Sequence, residues 1–245
     1  MEAILYKQRV QRVRHEIKQR EVEVVSVNPI GANFISITFK GDTLHDFVSD
    51  SFDDHVKFIF VDPNGERVRR DYTPRSFDRA KQELTIEFAF HGDGQASEWA
   101  RQATVGQRAV IAGPRGSMII PVDYDWHFLA GDATALPAIH RRLEELPATA
   151  RVTVVAQVAD AADRREFIGD PQLKVHWVST AQELVAAVQA IQLPQGDGFA
   201  WCAGEASVMV QLRNVLSVEK GLPKEAMRVA AYWKHGASEH HQMLD

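Results

Sequence analysis

The sequence predicts two domains: an N-terminal antiparallel β-barrel over residues 21–122 and an α/β domain with a parallel sheet over residues 123–245, behind a basic arm of residues 1–20. Three observations predict it. From Glu21 to Pro121 the apolar residues fall in short runs, several of them alternating, parted by turn chemistry, as half-buried antiparallel strands require. Beyond Pro121 strand-like runs alternate with stretches of helical spacing, which is the pattern of a parallel sheet covered on both faces. A length of 245 residues permits two domains of about 120 residues each.

The arm carries Lys7, Arg9, Arg12, Arg14, Lys18 and Arg20 against only Glu2 and Glu16, and reads as a solvated basic arm or helix rather than a docking site. In the barrel the runs are Val22–Val27, Phe34–Phe39, Val56–Val61, Leu84–Phe90 and Ala109–Ile111, with a further strand-like run that ends in Arg70 to Arg75. Asp62-Pro63-Asn64-Gly65 is a hairpin turn. Five or six strands at this spacing suit a closed barrel or a sandwich. Gly94 to Ala100 reads as a loop entering a short helix.

In the second domain Trp126–Ala130 is a buried strand, and Leu136, Ile139, Leu143 and Leu146 recur with helical spacing. Val152–Val158 and Val175–Val178 are the next strands. Leu184, Val185, Val188 and Ile191 mark a helix, Phe199–Ala203 a strand, and Val208, Leu212, Val215 and Leu216 another helix. Met227–Tyr232 closes the series.

Composition narrows the classes. At 45% hydrophobic and 25% charged the chain reads as an ordinary soluble globular protein, and a net charge of -5 gives no reason to expect nucleic-acid or membrane binding. The single cysteine, Cys202, excludes an intramolecular disulfide and a four-cysteine iron–sulfur cluster; its apolar neighbours make it a buried structural thiol. With no apolar stretch of membrane-spanning length and no apolar signal core, the expectation is a cytoplasmic protein.

Several stretches carry chemistry. Arg70-Asp71-Tyr72-Thr73-Pro74-Arg75 gathers two guanidiniums, an aromatic ring and a hydroxyl, which suits neutralising a phosphate and lying against a flat ring. The alternative is a charged strand end with Tyr72 as core filler. The loop from His91 to Ser97 leads into a helix N-terminus, where backbone N–H groups take a diphosphate, or it is a surface loop. His91 is a cofactor contact, a metal ligand or a structural histidine, and a lone histidine disfavours the metal. Gly131 to Pro137 has small residues that allow a dinucleotide close approach but no Gly-x-Gly-x-x-Gly fingerprint; it and Gly204-Glu205 are otherwise ordinary turns. Tyr232-Trp233 either covers a cofactor or packs domains. Arg164-Arg165 either receives a 2′-phosphate or is a solvated turn, and His240-His241 reads as a solvated tail more than an iron site.

In order and at near-family spacing, seven segments resemble the siderophore-interacting proteins, FAD-containing ferric-siderophore reductases of the ferredoxin-reductase-like superfamily. They are Asp54-His55-Val56-Lys57, Arg70 to Arg75, His91-Gly92 with Ala96 to Ala100, Gly113-Pro114-Arg115-Gly116, Gly131 to Ala138, Gly204-Glu205, and Tyr232 to Gly236. The resemblance covers nearly the whole chain. Two positions depart from the family: Gln95 stands where a proline is usual, and Ala133 where glutamate is common.

The resemblance implies an FAD-binding barrel followed by an NAD(P)H-binding-like domain. Arg70, Tyr72 and Thr73 occupy the superfamily's Arg-x-Tyr-Ser/Thr flavin motif: Arg70 for the pyrophosphate, Tyr72 against the isoalloxazine, and the Thr73 hydroxyl near its N5 edge. Tyr72 and Thr73 are thus the catalytic candidates. Asp71, Phe88, Ala89, His91, Gly94, Gln95, Ala96 and Ser97 join the cofactor-binding set, with Asp132, Thr134, Ala135 and Trp233 from the second domain. Lys57, Arg75 and Arg115 are the candidate positive pocket for an anionic ferric siderophore, and no resident metal is implied. The donor is NADH or NADPH, with ferredoxin as a further option, and a monomer is expected. Other readings are a general flavin or oxygenase reductase, a ferredoxin-dependent reductase, and a non-enzymatic siderophore-binding module.

Overall fold

The computed structural model of the protein describes residues 9–90, 94–167, 172–237 and 242–243. The chain divides into a unit of Gln11–Ile120 and a unit built on Pro121–Ile139 with Leu143–Asp245. In chain order the first contains β1 (Gln11–Arg14), β2 (Gln19–Ile30), β3 (Phe34–Lys40), β4 (Val56–Val61), β5 (Arg67–Tyr72), β6 (Ser76–Asp78) and β7 (Glu83–Ala89). Helix α1 (Gln95–Arg101), β8 (Arg108–Ala112) and β9 (Gly116–Ile119) complete it.

Seven of these strands form one antiparallel sheet in the order β5-β4-β8-β2-β3-β7-β6. Period-two alternation sets which side is inside: on β2, Val22 and Val24 are buried while Glu21 and Glu23 are exposed. The sheet curls, because the Tyr72 ring at the end of β5 lies 4.4 Å from that of Phe88 on β7. Phe58 is the hub of the enclosed core, with Phe39, Phe60, Tyr72, Phe88 and Trp99 rings all within 6.0 Å of its own. Trp99, with Ala96 and Ala100, is the buried face of α1, so this helix joins the same core.

Two short pairings have no counterpart in the sequence reading. β6 has three residues, and β1 pairs with β9 as a separate two-stranded sheet although all four of its residues are exposed. The solvated arm expected over residues 1–20 is corrected over its described part. Residues 11–14 are strand, and Arg20, 4% exposed, donates to the carbonyls of Thr43 and Gly113 and to Asp46. Buried guanidinium N–H groups demand partners, and these carbonyls supply them.

The second unit contains β10 (Trp126–Gly131), α2 (Leu136–Glu145), β11 (Val152–Gln157), β12 (Leu173–Val178), α3 (Ala181–Ala190), β13 (Gly198–Glu205), α4 (Ala206–Asn214), β14 (Met227–Trp233) and β15 (Gln242–Met243). The sheet order is β12-β11-β10-β13-β14-β15; the first five strands are parallel and β15 is antiparallel to β14. Trp126, Phe128 and Ala130 of β10 share one core cluster with Leu184 and Val188 of α3 and Val208, Met209 and Leu212 of α4. A capping box between Thr180 and Glu183 starts α3. The strand order reverses between β10 and β13, so the ends of these two strands, Gly131 and Glu205, flank the crevice where open α/β sheets take ligands. Among the described residues no helix is long and apolar enough to cross a membrane.

Candidate functional site

The barrel brings the Arg70 stretch and the start of α1 together. Arg70 is near the end of β5, and its Nη2 donates to Gln95 Oε1 at 3.2 Å. Gln95 Nε2 in turn donates to Asp62 Oδ2 at 3.2 Å. Asp62 is anchored in the hairpin turn between β4 and β5, where its other oxygen accepts the Asn64 and Glu66 amides. Those two residues help to hold its carboxyl below the usual range, the Glu66 amide most of all. Gln95, the departure from the family pattern, therefore bridges a cation on β5 and an anion in the turn before it.

The N-cap of α1 is Gly94, which has no side chain with which to close the first turn. Its φ of -73° is open to any residue, and a Cβ there would meet only the Ser97 hydroxyl, at 4.0 Å. Nothing in the protein's own packing among the described residues calls for glycine at this position. A guanidinium beside helix-start amides is a fitting environment for a diphosphate.

Tyr72 is half-buried, packed edge-on to Phe58 and tilted against Phe88. Burial pushes its phenol upward, with Arg70 a smaller opposing influence, so the ring is neutral at ordinary pH. Thr73 beside it is 7% exposed. Phe88, expected as a cofactor contact, is 0% exposed beneath Tyr72; burial makes it a support for that ring. Ala89, Ala96 and Ser97 are buried as well, which leaves Arg70, Gly94 and Gln95 as the more exposed members of this group.

The three cations expected to meet an anion differ in setting. Arg75 is 9% exposed with its Nε 3.4 Å from Glu87, so its guanidinium lies largely buried beside a carboxylate. Lys57 is exposed and pairs at 2.9 Å with Asp71, its cross-strand neighbour on β5, which also gives Asp71 a role in the sheet. Arg115 is exposed just before β9. His91 and His240-His241 lie outside the described residues.

At the second unit's crevice the small residues expected to admit a dinucleotide lie against the protein's own groups. A Cβ on Gly204 would meet Asp132 Oδ2 at 2.5 Å, and one on Gly131 would meet the Ala203 carbonyl at 2.2 Å. The space these glycines create is filled by the protein itself. Asp132 Oδ1 accepts from the Thr134 amide at 2.9 Å and hydroxyl at 2.6 Å; Oδ2 accepts from the Glu205 amide at 2.8 Å and the Trp233 indole at 2.9 Å. Ala135 is fully buried and cannot present its side chain to a ligand. Thus Asp132, Thr134 and Trp233 do converge, but on one another.

Glu87 was missed from sequence, while Asp62 and Glu205 were read only as turn residues, without their hydrogen-bonding roles. The Asp-Pro-Asn-Gly turn was a signal for Asp62. For Glu87 there was none, since its partner Arg75 lies outside β7, just before β6.

Comparison with known proteins follows this geometry. Residues 124–236 match the family described as siderophore-interacting protein, and residues 23–69 and 64–118 match the siderophore-interacting FAD-binding domain. An NADPH-dependent ferric-chelate reductase of Escherichia coli is 34% identical, with 91% of this chain and 96% of that protein covered. A ferric vibriobactin reductase of Vibrio cholerae is 28% identical over 90% and 91%. A siderophore utilization protein from T. fusca superposes with a TM-score of 0.88 at 34% identity, covering 94% of this chain and 97% of that one.

Proposed function

The chain belongs to the siderophore-interacting protein family, and on that premise we propose how its residues divide the work. It is an oxidoreductase, a flavin-dependent reductase of ferric siderophores with NAD(P)H as electron donor. Bound FAD supplies the chemistry of taking a hydride as two electrons and passing them on singly.

Arg70 would hold the FAD diphosphate together with the first amides of α1, with Gln95 bracing the guanidinium. Tyr72, propped by Phe88, would hold the flavin ring, and the Thr73 hydroxyl would be its hydrogen-bonding partner. Lys57 and Arg115 attract the anionic ferric chelate, whose bonds to iron weaken as the metal gains an electron. No side-chain acid or base is needed for that transfer; the residues orient and set the local field. The 3.2 Å contact between Arg70 and Gln95 supports this reading, because it brings the guanidinium of β5 to the first residue of α1 from 25 residues away in sequence. The relative in E. coli supports NADPH over NADH. The protein works as a cytoplasmic monomer.

The test is the visible spectrum of the purified protein, followed by anaerobic addition of NADPH and then a ferric catecholate with a ferrous-iron trap. Yellow protein that bleaches with NADPH and recovers colour as Fe²⁺ appears is the expected result. Protein that neither copurifies with FAD nor binds it when added would overturn the reading. Bleaching by reduced ferredoxin alone would transfer the donor role to a protein.

A further inference from the structure

We infer that Glu205, with Asp132 behind it, sets the strength of donor binding by occupying the backbone amides that a dinucleotide diphosphate would use at the crevice between β10 and β13. The inference rests on NAD(P)H being the donor, as proposed above.

In sheets of this kind the helix-start amides beyond the strand ends receive phosphate groups. Here they already have anions. After β10, the Thr134 amide bonds to Asp132 Oδ1 at 2.9 Å and the Ala135 amide to the Asp132 carbonyl at 3.0 Å, while Pro137 has no N–H to offer. After β13, Glu205 is the N-cap of α4, and its Oε2 accepts from the Ser207 amide at 2.7 Å and the Val208 amide at 3.2 Å. Its own amide is taken by Asp132 at 2.8 Å. The two carboxylates are therefore chained together across the reversal point of the sheet.

Glutamate is not among the preferred N-caps; Ser, Thr, Asp and Asn reach these amides more directly. Its longer chain folds back so that a full negative charge sits where a bound phosphate would. Partial burial pushes this carboxyl upward, but hydrogen bonds from the Ser207 side chain and from the Val208, His235 and Ser207 amides outweigh it, so Glu205 is ionised at neutral pH. The Asp132 carboxylate also fills the space beside Gly204. A diphosphate approaching this edge meets two negative charges whose donors are satisfied. The donor must be held by its other parts, and weakly.

Removing the charge while keeping a cap should expose the effect. Calorimetric titration of the FAD-loaded protein with NADP⁺ compares wild type with Glu205→Gln, Glu205→Ser and Glu205→Asp. Gln and Ser cap without charge, and either suffices should the other not fold. Both should bind NADP⁺ about tenfold tighter, the scale of one unit charge at close range in a partly exposed site. Asp caps with its charge kept and should match wild type. Benzyl-dihydronicotinamide, a hydride donor without phosphate, should reduce the flavin of all four at one rate. Wild-type affinity in the neutral variants overturns the roles given to Glu205 and Asp132. Absence of NADP⁺ binding in every protein, with bleaching by reduced ferredoxin, overturns the dinucleotide donor itself.

Discussion

Trp233 donates its indole N–H to Asp132 Oδ2 at 2.9 Å, joining the end of β14 to the end of β10 across 101 residues of sequence. The same oxygen accepts the Glu205 amide from β13 between them, so one carboxylate ties three parallel strands at their ligand-facing ends. Asp132→Ala strands these donors in a site where the aspartate is 8% exposed. Each orphaned group costs about 1–3 kcal/mol, so a loss of about 3 kcal/mol in urea unfolding is expected. Trp233→Phe removes the indole N–H bond and leaves a smaller aromatic ring, and should lose about 1 kcal/mol. Equal midpoints for wild type and Asp132→Ala would show that water replaces the carboxylate.

Arg70 and Gln95 give the sharpest check on the flavin side. Arg70→Ala should weaken FAD binding by about 2 kcal/mol, or about thirtyfold, read as recovery of free flavin fluorescence on dilution. Gln95→Ala removes only the amide that braces the guanidinium and should weaken binding less. A Gln95 variant that loses more FAD than Arg70→Ala would reverse their order.

Legibility followed locality. The runs Val22–Val27 and Trp126–Ala130 declare their strands because buried and exposed positions alternate or fill within a few residues. β1, by contrast, reads Gln-Arg-Val-Arg with nothing buried, and only its partner β9, about a hundred residues on, makes it a strand. The same holds within the candidate site. Arg70, Tyr72 and Thr73 are legible as a group because six residues hold them. The pairing of Arg75 with Glu87 was hidden, because β6 is too short to announce the hairpin with β7 that brings them together. The glycines at 131 and 204 read in sequence as room for a dinucleotide; that the Ala203 carbonyl and Asp132 lie against them is set by pairing with a strand about 70 residues away and is not legible there.

Phe58 is 0% exposed and in ring contact with five other aromatics, so the barrel core depends on it. Phe58→Ala should cost about 4 kcal/mol, near the upper end for a buried phenylalanine because so rigid a set of rings cannot collapse into the cavity. Since Tyr72 leans on this cluster, FAD affinity should fall with stability. Wild-type FAD affinity in folded Phe58→Ala protein would separate the ring of Tyr72 from its support.

Asp46 links the start of β2 to the turn that follows β3. It accepts from Lys18 at 2.5 Å and Arg20 at 2.9 Å, and these two, Lys18 first, bring its carboxyl down from 3.8 to about 2. A carboxyl lowered by folding contributes stability above its unfolded value and loses it as pH falls through the folded one. The contribution should be intact above pH about 4 and gone below about 2. Asp46→Asn should therefore melt lower than wild type near neutrality and level with it in strong acid. A gap that persists below that range would assign the difference to packing.

Cys202 lies in β13, 0% exposed, among the apolar residues beneath α3 and α4. Burial pushes its thiol up to about 12, with the hydrogen bond involving the Ala130 backbone a smaller opposing influence, so the reactive thiolate is scarcely populated at neutral pH. An aromatic disulfide reagent should leave the native protein untouched and titrate one thiol per chain in denaturant. Fast native labelling would mean that β13 opens locally, and labelling at the global unfolding rate would place this strand in the most stable part of the unit. Because no step of ferric reduction uses the thiol, Cys202→Ala should keep the rate of chelate reduction while losing about 1–2 kcal/mol of stability to the small void at its sulfur.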